Sequence, residues 1–572
     1  MKTRTKGIIF FAVVAGIMLA SGVTIAIPAS FFENSDTALD SLDGTDPNVA
    51  ASLDYIGDER LQFCGVNDKA KSNSYVKEYK IPTPCTQPLA ITTVPDGTVW
   101  FAQTNTGMIA KFDPSSETFT QYPNSDWDRL QTVWIEEALL QNALPIKLRS
   151  MMWGMDYSPD GSIWYTDGDN GAIWKFSLSD ESYHVLSFPR EDDSQQVFPQ
   201  RLEVDGSRII INDLFGSKLS FFDFVQVGQA IRTFGIPSPI SESLTSDFTI
   251  DSEDNVWYTT WIPNEAGILV KFDYPKYEKQ QAISSTITDG LLLQEFIDFY
   301  QFPSGMDTPN GIAVGPNEKI WIADTSGNFF FSFDPEIEKF TKYVTSIPHG
   351  DSYGNLKLPT YSSNPYWIEL LDEKLVMNEH NANRIAVFDP TTETMVEYTV
   401  PSRNTSWADC EGIEYCGISQ VFGFTVDGKK IWFTEWVENN IGVVDTSISL
   451  PFDIDLDKEN IVLKRGETTE ITLEFSSADI APDGHLVNIS TTSLFADLII
   501  NPESTEFYSN DSDSESIIVQ ITASDSALPD THKVLLGAYN DEIAISKFIT
   551  VTICLLYTSP SPRDGLLSRM TS

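Results

Sequence analysis

Asp167, Asp213, Asp324, Glu379 and Glu435 recur at one fixed place in a repeated phrase, and this recurrence is the chain's first hint of chemistry. Two carboxylates ~4 Å apart repel by about 1 kcal/mol in water and about 4 kcal/mol in a partly buried setting, so converging acids need a cation, a proton or a basic ligand. Oxygen donors alone suit a divalent cation, Mg2+ or Ca2+, and these five are the expected metal ligands. The alternative is that each acid caps its own turn, as Asp often does, and that the five never meet. Gln103 and Thr260 hold the same place in the two remaining copies.

A second set enters the phrase: Trp153, Gln200, Asn310, Tyr366 and Phe422, with Leu89 and Ser246 completing it. Aromatic and uncharged polar side chains at one channel mouth would make a platform for a sugar, a peptide or an aromatic compound, or would simply plug the channel. His380, beside Glu379, is the one histidine near either set and so the one imidazole candidate for a general base; a hydrogen-bonded loop residue is its plainer reading.

The elements that must position these residues are legible in the phrase itself. It reads ITTVPDGTVWFAQ (91–103), MDYSPDGSIWYTD (155–167), LEVDGSRIIIND (202–213), FTIDSEDNVWYTT (248–260), IAVGPNEKIWIAD (312–324), IELLDEKLVMNE (368–379) and FTVDGKKIWFTE (424–435). Self-similarity at ~40–50 residues marks a propeller or related array, in which no repeat buries its own apolar face. Within a copy the pattern has period two around a hairpin turn, so four strands per repeat follow. Outer strands end on proline, as at Pro123, Pro189, Pro303 and Pro401, because proline cannot donate to a ladder. The last copy lacks such a strand, whereas Tyr75-Val-Lys-Glu-Tyr-Lys-Ile-Pro82 is one with no repeat before it. The expectation is an all-β chain: a seven-bladed β-propeller over 75–450, its last blade closed by the N-terminal strand.

The phrase Trp432-Phe-Thr-Glu435 with Asn439-Asn-Ile-Gly442, the Pro-Asp-Gly turns and Lys80-Ile-Pro-Thr-Pro84 resemble the streptogramin (virginiamycin B) lyase family of seven-bladed propellers, over roughly 75–445. The resemblance implies a metal-dependent, non-hydrolytic opening of a cyclic depsipeptide, with Mg2+ near the channel mouth and a glutamate and histidines as working residues. That family's glutamate falls on Glu435, with Glu379 as a second candidate and His380 as the candidate base. Its Pro-His-Gly-Ile phrase meets Pro309-Asn-Gly-Ile312 and Val421-Phe-Gly-Phe424 here, so imidazoles kept in the family are absent. A binding propeller taking a small molecule, glycan or surface protein therefore ranks first, a metal-dependent lyase second, and a gluconolactonase-like hydrolase third, since that related group is built on six blades.

Composition bounds the setting. The 572 residues carry 82 acidic against 37 basic side chains, a formal charge of -45, which excludes nucleic acid and anionic membrane surfaces as partners. Lys2, Arg4 and Lys6 precede an uncharged stretch, 7–32, long enough for a span at ~20 residues. The segment 1–32 is thus a retained anchor, favoured over a cleaved signal peptide, and places the rest at the cell surface or secreted. Residues 33–74 read as a linker. Outside the cell, Cys64 with Cys85 and Cys410 with Cys416 are the economical disulfides; a zinc site fits their spacing poorly. Three glycosylation sequons start at Asn404, Asn488 and Asn510. From 451 to 553 short alternating runs predict an immunoglobulin-like β-sandwich. The tail 554–572 departs from the acidic composition and resembles adaptor read-through or a disordered end, which would make Cys554 spurious. Inserts at 127–150 and 275–292 predict a short helix and a lengthened hairpin.

Overall fold

In the computed structural model of the chain, the residues described are 64–65, 67–127, 151–188, 197–206, 208–223, 232–240, 242–263, 266–283, 293–348, 362–405, 417–477, 485–493, 497–509 and 515–554. The N-terminal segment 1–32, most of 33–74, the insert helix beyond Trp127, Cys410, Cys416 and the tail after Cys554 fall outside them. The chain divides into two compact units, one running to Ile448 and the other from Ser449, with Lys342–Ser346 and Thr391–Val396 counted to the second.

The first unit is propeller-like. Sheet I is built from Pro88–Thr93, Val99–Gln103, Met108–Asp113 and Thr118–Tyr122. Sheet II follows with Met155–Ser158, Ser162–Asp167, Ala172–Ser177 and Ser182–Ser187. Sheet III holds Pro199–Asp205, Arg208–Asp213, Lys218–Asp223 and Arg232–Pro237. Sheet IV holds Leu244–Ile250, Val256–Ile262, Ala266–Phe272 and Ile297–Gln301. Sheet V holds Pro309–Val314, Ile320–Asp324, Phe329–Asp334 and Lys339–Val344. The order Pro365–Leu371, Lys374–Glu379, Arg384–Asp389, Thr394–Thr399 gives sheet VI. Sheet VII joins Val421–Asp427, Lys430–Glu435 and Asn440–Asp445 to the distant strand Val76–Lys80.

The closing strand expected from the sequence is therefore present, antiparallel, with Val76 opposite Val444 and Lys80 opposite Asn440. A disulfide between Cys64 and Cys85 ties the segments on either side of it together. Cys64 is buried, so the end of the stretch read as a linker is fixed to the fold. The first strand of each sheet packs against that of the next, and sheet VII returns to sheet I.

The tryptophan that recurs in the phrase bonds sheet to sheet. Trp100 meets Phe176 of sheet II at 5.7 Å, Trp257 meets Phe333 of sheet V at 6.2 Å, Trp321 meets Phe388 of sheet VI at 5.5 Å, and Trp432 meets Phe112 of sheet I at 5.9 Å. Each such pair adds about 0.5–1.5 kcal/mol beyond the area it buries. Polar stitches lie beside them. Thr166 donates to the Gln200 carbonyl at 2.6 Å, Thr259 to that of Pro309 at 2.9 Å, Thr434 to that of Leu89 at 2.8 Å, and the Asn212 and Asn378 amides reach Thr245 and Val421 at 2.8 Å. A polar residue late in the second strand thus satisfies the bent first strand of the neighbouring sheet.

The insert expected to lengthen a hairpin in sheet IV begins instead as a helix, α1 (Tyr274–Ile283). Tyr274 and Tyr277, one turn apart, share a face and pack on Phe221, Phe234, Phe272 and Phe296, which favours helical spacing over further pairing. The sequon asparagine Asn404 is fully buried with its amide donated to the Val437 carbonyl at 3.1 Å, so the folded chain hides it from modification.

The second unit is built on two sheets. One orders Phe452–Leu456, Thr468–Ser477, Glu515–Ala523 and Leu498–Pro502; the other orders Ile543–Cys554, Thr531–Tyr539, His485–Thr492 and Glu506–Ser509, with Asn460–Lys464 parallel to the first of these. Ile471, Leu473, Val519, Ile521, Val534, Leu536, Ile549 and Val551 are its buried, alternating residues. Cys554 pairs with Lys464 at the end of its strand, so it belongs to the fold and the tail begins after it.

Candidate functional site

The mouth of the channel is aimed by a kink repeated from sheet to sheet. The first strand of six sheets shifts register just after its entry, between Pro88/Ile91, Pro199/Leu202, Thr245/Phe248, Pro309/Gly311, Pro365/Ile368 and Val421/Phe424. Such bulges re-aim the side chain at the bend. Gly154 and Gly311 sit where an added Cβ would come within 2.6 Å of the next sheet's Gln200 and Tyr366 carbonyls, so only glycine lets the inner strands close this tightly.

The entry residues do meet. Trp153 of sheet II stacks on Tyr366 of sheet VI, ring centres 5.6 Å apart and 5° from parallel, and Phe422 of sheet VII stands edge-on to both at 5.5 and 5.7 Å. Sheet I lies between sheets VII and II, so these contacts cross the channel. Gln200, Ser246 and Asn310 form the polar side: Gln200 accepts from Asn212 at 3.0 Å and bonds Tyr366, while Ser246 accepts from Trp261 Nε1 at 2.8 Å and donates to Asn310 at 3.5 Å. Every one of the seven is buried, Trp153 being the most open at 9 %. The expected platform is therefore a closed plug.

The strand-end acids behave in the opposite way. Asp167 accepts from Asn170 at 2.8 Å and from Trp174 at 2.9 Å; Asp213 from the amides of Phe198 and Gly216 at 2.7 and 3.0 Å. Asp324 takes amides from Asp307, Thr308 and Ser326 at 2.9–3.0 Å. Glu379 accepts from Arg384 at 2.7 Å and Glu435 from Asn440 at 3.0 Å. Each acid serves its own sheet, because strand alternation points it away from the stitching residue before it. Among the described residues no three His, Cys, Asp or Glu side chains are grouped to hold a metal ion, so the residues present do not fit the divalent cation expected at this ring. Burial, opposed by the Asn170 and Trp174 hydrogen bonds, pushes Asp167 up to about 6. Burial first, then the facing carboxylates Glu397 and Glu78, hold Glu379 and Glu435 well above the usual range.

His380 is where the two sets touch. Its ring stacks on Phe422 at 4.9 Å and stands edge-on to Tyr366 at 5.5 Å, fully buried; neither ring nitrogen makes a well-formed hydrogen bond, and the polar group in reach is the Asn364 backbone. Burial lowers its pKa to about 3, so the imidazole is neutral. The buried side-chain oxygens of Gln420 and Gln87, one residue before the first strands of sheets VII and I, also lack partners.

Sequence reasoning missed two groups. Glu78 and Glu397 sit on the outer strands of the sheets that hold Glu435 and Glu379, close enough to raise them across the intervening strand, and the shared Glu-Tyr-x-Val/Ile-Pro spelling was the signal for both. Deeper in the channel Arg201 pairs with Asp247 at 3.4 Å and Glu369 at 3.2 Å, near Glu203 and Asp156; only the odd polarity of otherwise apolar first strands announced them.

No protein-family model matches this chain, and no curated protein matches it. Among solved structures it is similar to selenomethionine-substituted virginiamycin B lyase from Staphylococcus aureus at 18% identity, covering 65% of this chain and 98% of that one, with a TM-score of 0.45. A streptogramin B lyase structure gives 18% identity over 64% and 96%, TM-score 0.45. The calcium-binding protein regucalcin from Agrobacterium tumefaciens gives 10% over 51% and 89%, TM-score 0.32. The fold described above rests on strand pairing.

Proposed function

We propose that this chain is a seven-bladed propeller with an immunoglobulin-like module, displayed outside the cell, that binds a small organic ligand, free or as part of a glycan or a partner's surface, at the aromatic mouth of its channel. The observation that carries the reading is His380. A buried imidazole whose polar neighbour is the loosely placed Asn364 backbone costs about 1–3 kcal/mol for each bond left unmade, and a ligand that completes its bonding offsets that cost. It lies against the aromatic trio, and the Gln420 and Gln87 oxygens add further acceptors at sheets VII and I. Opening of the plug would expose stacking surface and hydrogen-bonding groups together, the combination that recognises sugars and aromatic compounds. The disulfide Cys64–Cys85 supports an oxidising compartment. A binder suits the site better than a lyase, since the imidazole at the mouth is buried with its pKa lowered to about 3, a weak base, and each strand-end acid is already hydrogen-bonded within its own sheet.

The test is calorimetry of the purified protein against uronate-containing glycans, aromatic glycosides and cyclic depsipeptides, repeated with His380→Phe. Binding to the native protein that weakens at least tenfold in the variant, while Tm rises, supports the reading. No binding across the panel, or equal binding by both proteins, ends it.

A further inference from the structure

We propose that Arg201 and the four carboxyl groups around it, Asp156, Glu203, Asp247 and Glu369, form an acid-tightened clasp across the channel, closed by protons in mildly acidic solution and loosened as they leave. The groups come from four sheets, II, III, IV and VI, and lie below the aromatic plug on the same first strands. Arg201 reaches Asp247 through Nε at 3.4 Å and Glu369 through Nη2 at 3.2 Å, and its guanidinium lies over the Trp367 ring at 4.8 Å. One guanidinium neutralises one carboxylate, and this one faces four. Asp156 accepts the Tyr157 and Val204 amides at 2.8 Å, which holds it in place without cancelling charge. Glu203 stands beside Asp156, Asp205 and Asp247, with Arg201 the cation near it.

Among the described residues, the other first strands supply no compensating cation. The first strands of sheets I and V carry no ionisable side chain, and that of sheet VII only the exposed Asp427. Asp205 is itself bound to Arg208, and the Tyr366 phenol, raised by burial, stays neutral. Among the described residues no three of these acids are placed to share a metal, and protons are the counter-charge this clasp invokes. The direction of titration agrees: burial, then the neighbouring acids, pushes Glu203 up to about 7, and burial pushes Glu369 up to about 7 against the pull of Arg201. Asp156 and Asp247 are raised by burial as well.

The sign follows. Folded Glu203 and Glu369 hold protons that the unfolded chain releases near 4.5, so their stabilising share is complete below that value and is lost as pH rises through about 7. Because the groups span opposed sheets, their ionisation pushes those first strands apart beneath the plug.

Thermal unfolding of the full chain from about pH 5 to about pH 9 tests this, together with infrared difference spectra of the protonated-carboxyl carbonyl band. The native Tm should fall as pH rises through neutrality, and the band should disappear over the same range. Glu203→Gln and Glu369→Gln should each flatten the fall and release about one proton fewer. Glu203→Gln makes no direct bond to Arg201, so it reports even if Glu369→Gln does not fold. A native Tm that is flat or rising through that window, or an identical slope and band in Glu203→Gln, overturns the proposal.

Discussion

Sheets VI and VII carry the same outer spelling, Glu397-Tyr-Thr-Val-Pro401 and Glu78-Tyr-Lys-Ile-Pro82, and the same glutamate at the end of the second strand, yet they balance charge differently. In sheet VI, Arg384 lies opposite Glu379, binds it at 2.6 Å and reaches Glu397 at 3.3 Å, all three buried. In sheet VII the place opposite Glu435 belongs to Asn440, which gives one hydrogen bond at 3.0 Å and no charge. Glu78 faces Glu435 there, held by the amides of Lys71 and Ser402 at 2.9 Å. One glutamate pair has a guanidinium to answer it; the other has no cation opposite it, and burial with the facing carboxylate raises Glu435. A sheet made from one continuous run of chain sets a guanidinium between its two glutamates, whereas the sheet completed by a distant segment meets its pair with hydrogen bonds alone.

The largest effect that would sharpen this contrast is Arg384→Gln. It leaves two buried glutamates without a cation and should cost about 3–5 kcal/mol in urea unfolding, while a loss under about 1 kcal/mol would show that the triad is not structural. Next, replacing both Cys64 and Cys85 with serine should remove about 3 kcal/mol, the share expected of a loop with a sequence separation of 21. Hydrogen exchange should then rise in Val76–Lys80 and stay unchanged in Arg384–Asp389; equal rises would place the damage elsewhere. The smallest is Glu435→Gln, expected to lie within about 1 kcal/mol of the native protein and to gain on it in alkaline solution. Glu435 is held well above its unfolded value of 4.5, so its share is present below that value and lost as pH rises through the folded one. A pH profile of Tm as steep in the variant as in the native protein would refute this.

Much of the scaffold was legible in the sequence, because the repeat carries its own geometry. The period-two runs, the proline-ended outer strands and the orphan strand at 75–82 each correspond to a strand that forms where expected. Trp153, Tyr366 and Phe422 were named together and do meet. The acids were harder. Asp167 and Asp324 stand at the expected strand ends, but whether a side chain points to the axis or to its own turn depends on alternation after a bulge, which one sequence does not reveal. Arg201 and its four neighbours escaped because they lie inside strands, where an occasional charge resembles a surface residue. The helix α1 was missed because tyrosines spaced by three fit a hairpin insert as well as a turn of helix.

The pairing of Val76 with Val444 also sets an order of events in time. During synthesis the strand that completes the ring leaves the ribosome first and its partner nearly last, so an unpaired edge waits through almost the whole of the unit's translation. Such long-range contacts fold slowly, and exposed edges invite association with other chains. The oxidation of Cys64 with Cys85 is local and needs none of the later chain, so it can hold the waiting strand beside sheet I until its partner arrives. Production in a reducing compartment should therefore lose yield to aggregation in addition to the stability that the crosslink contributes to the molecules that do fold.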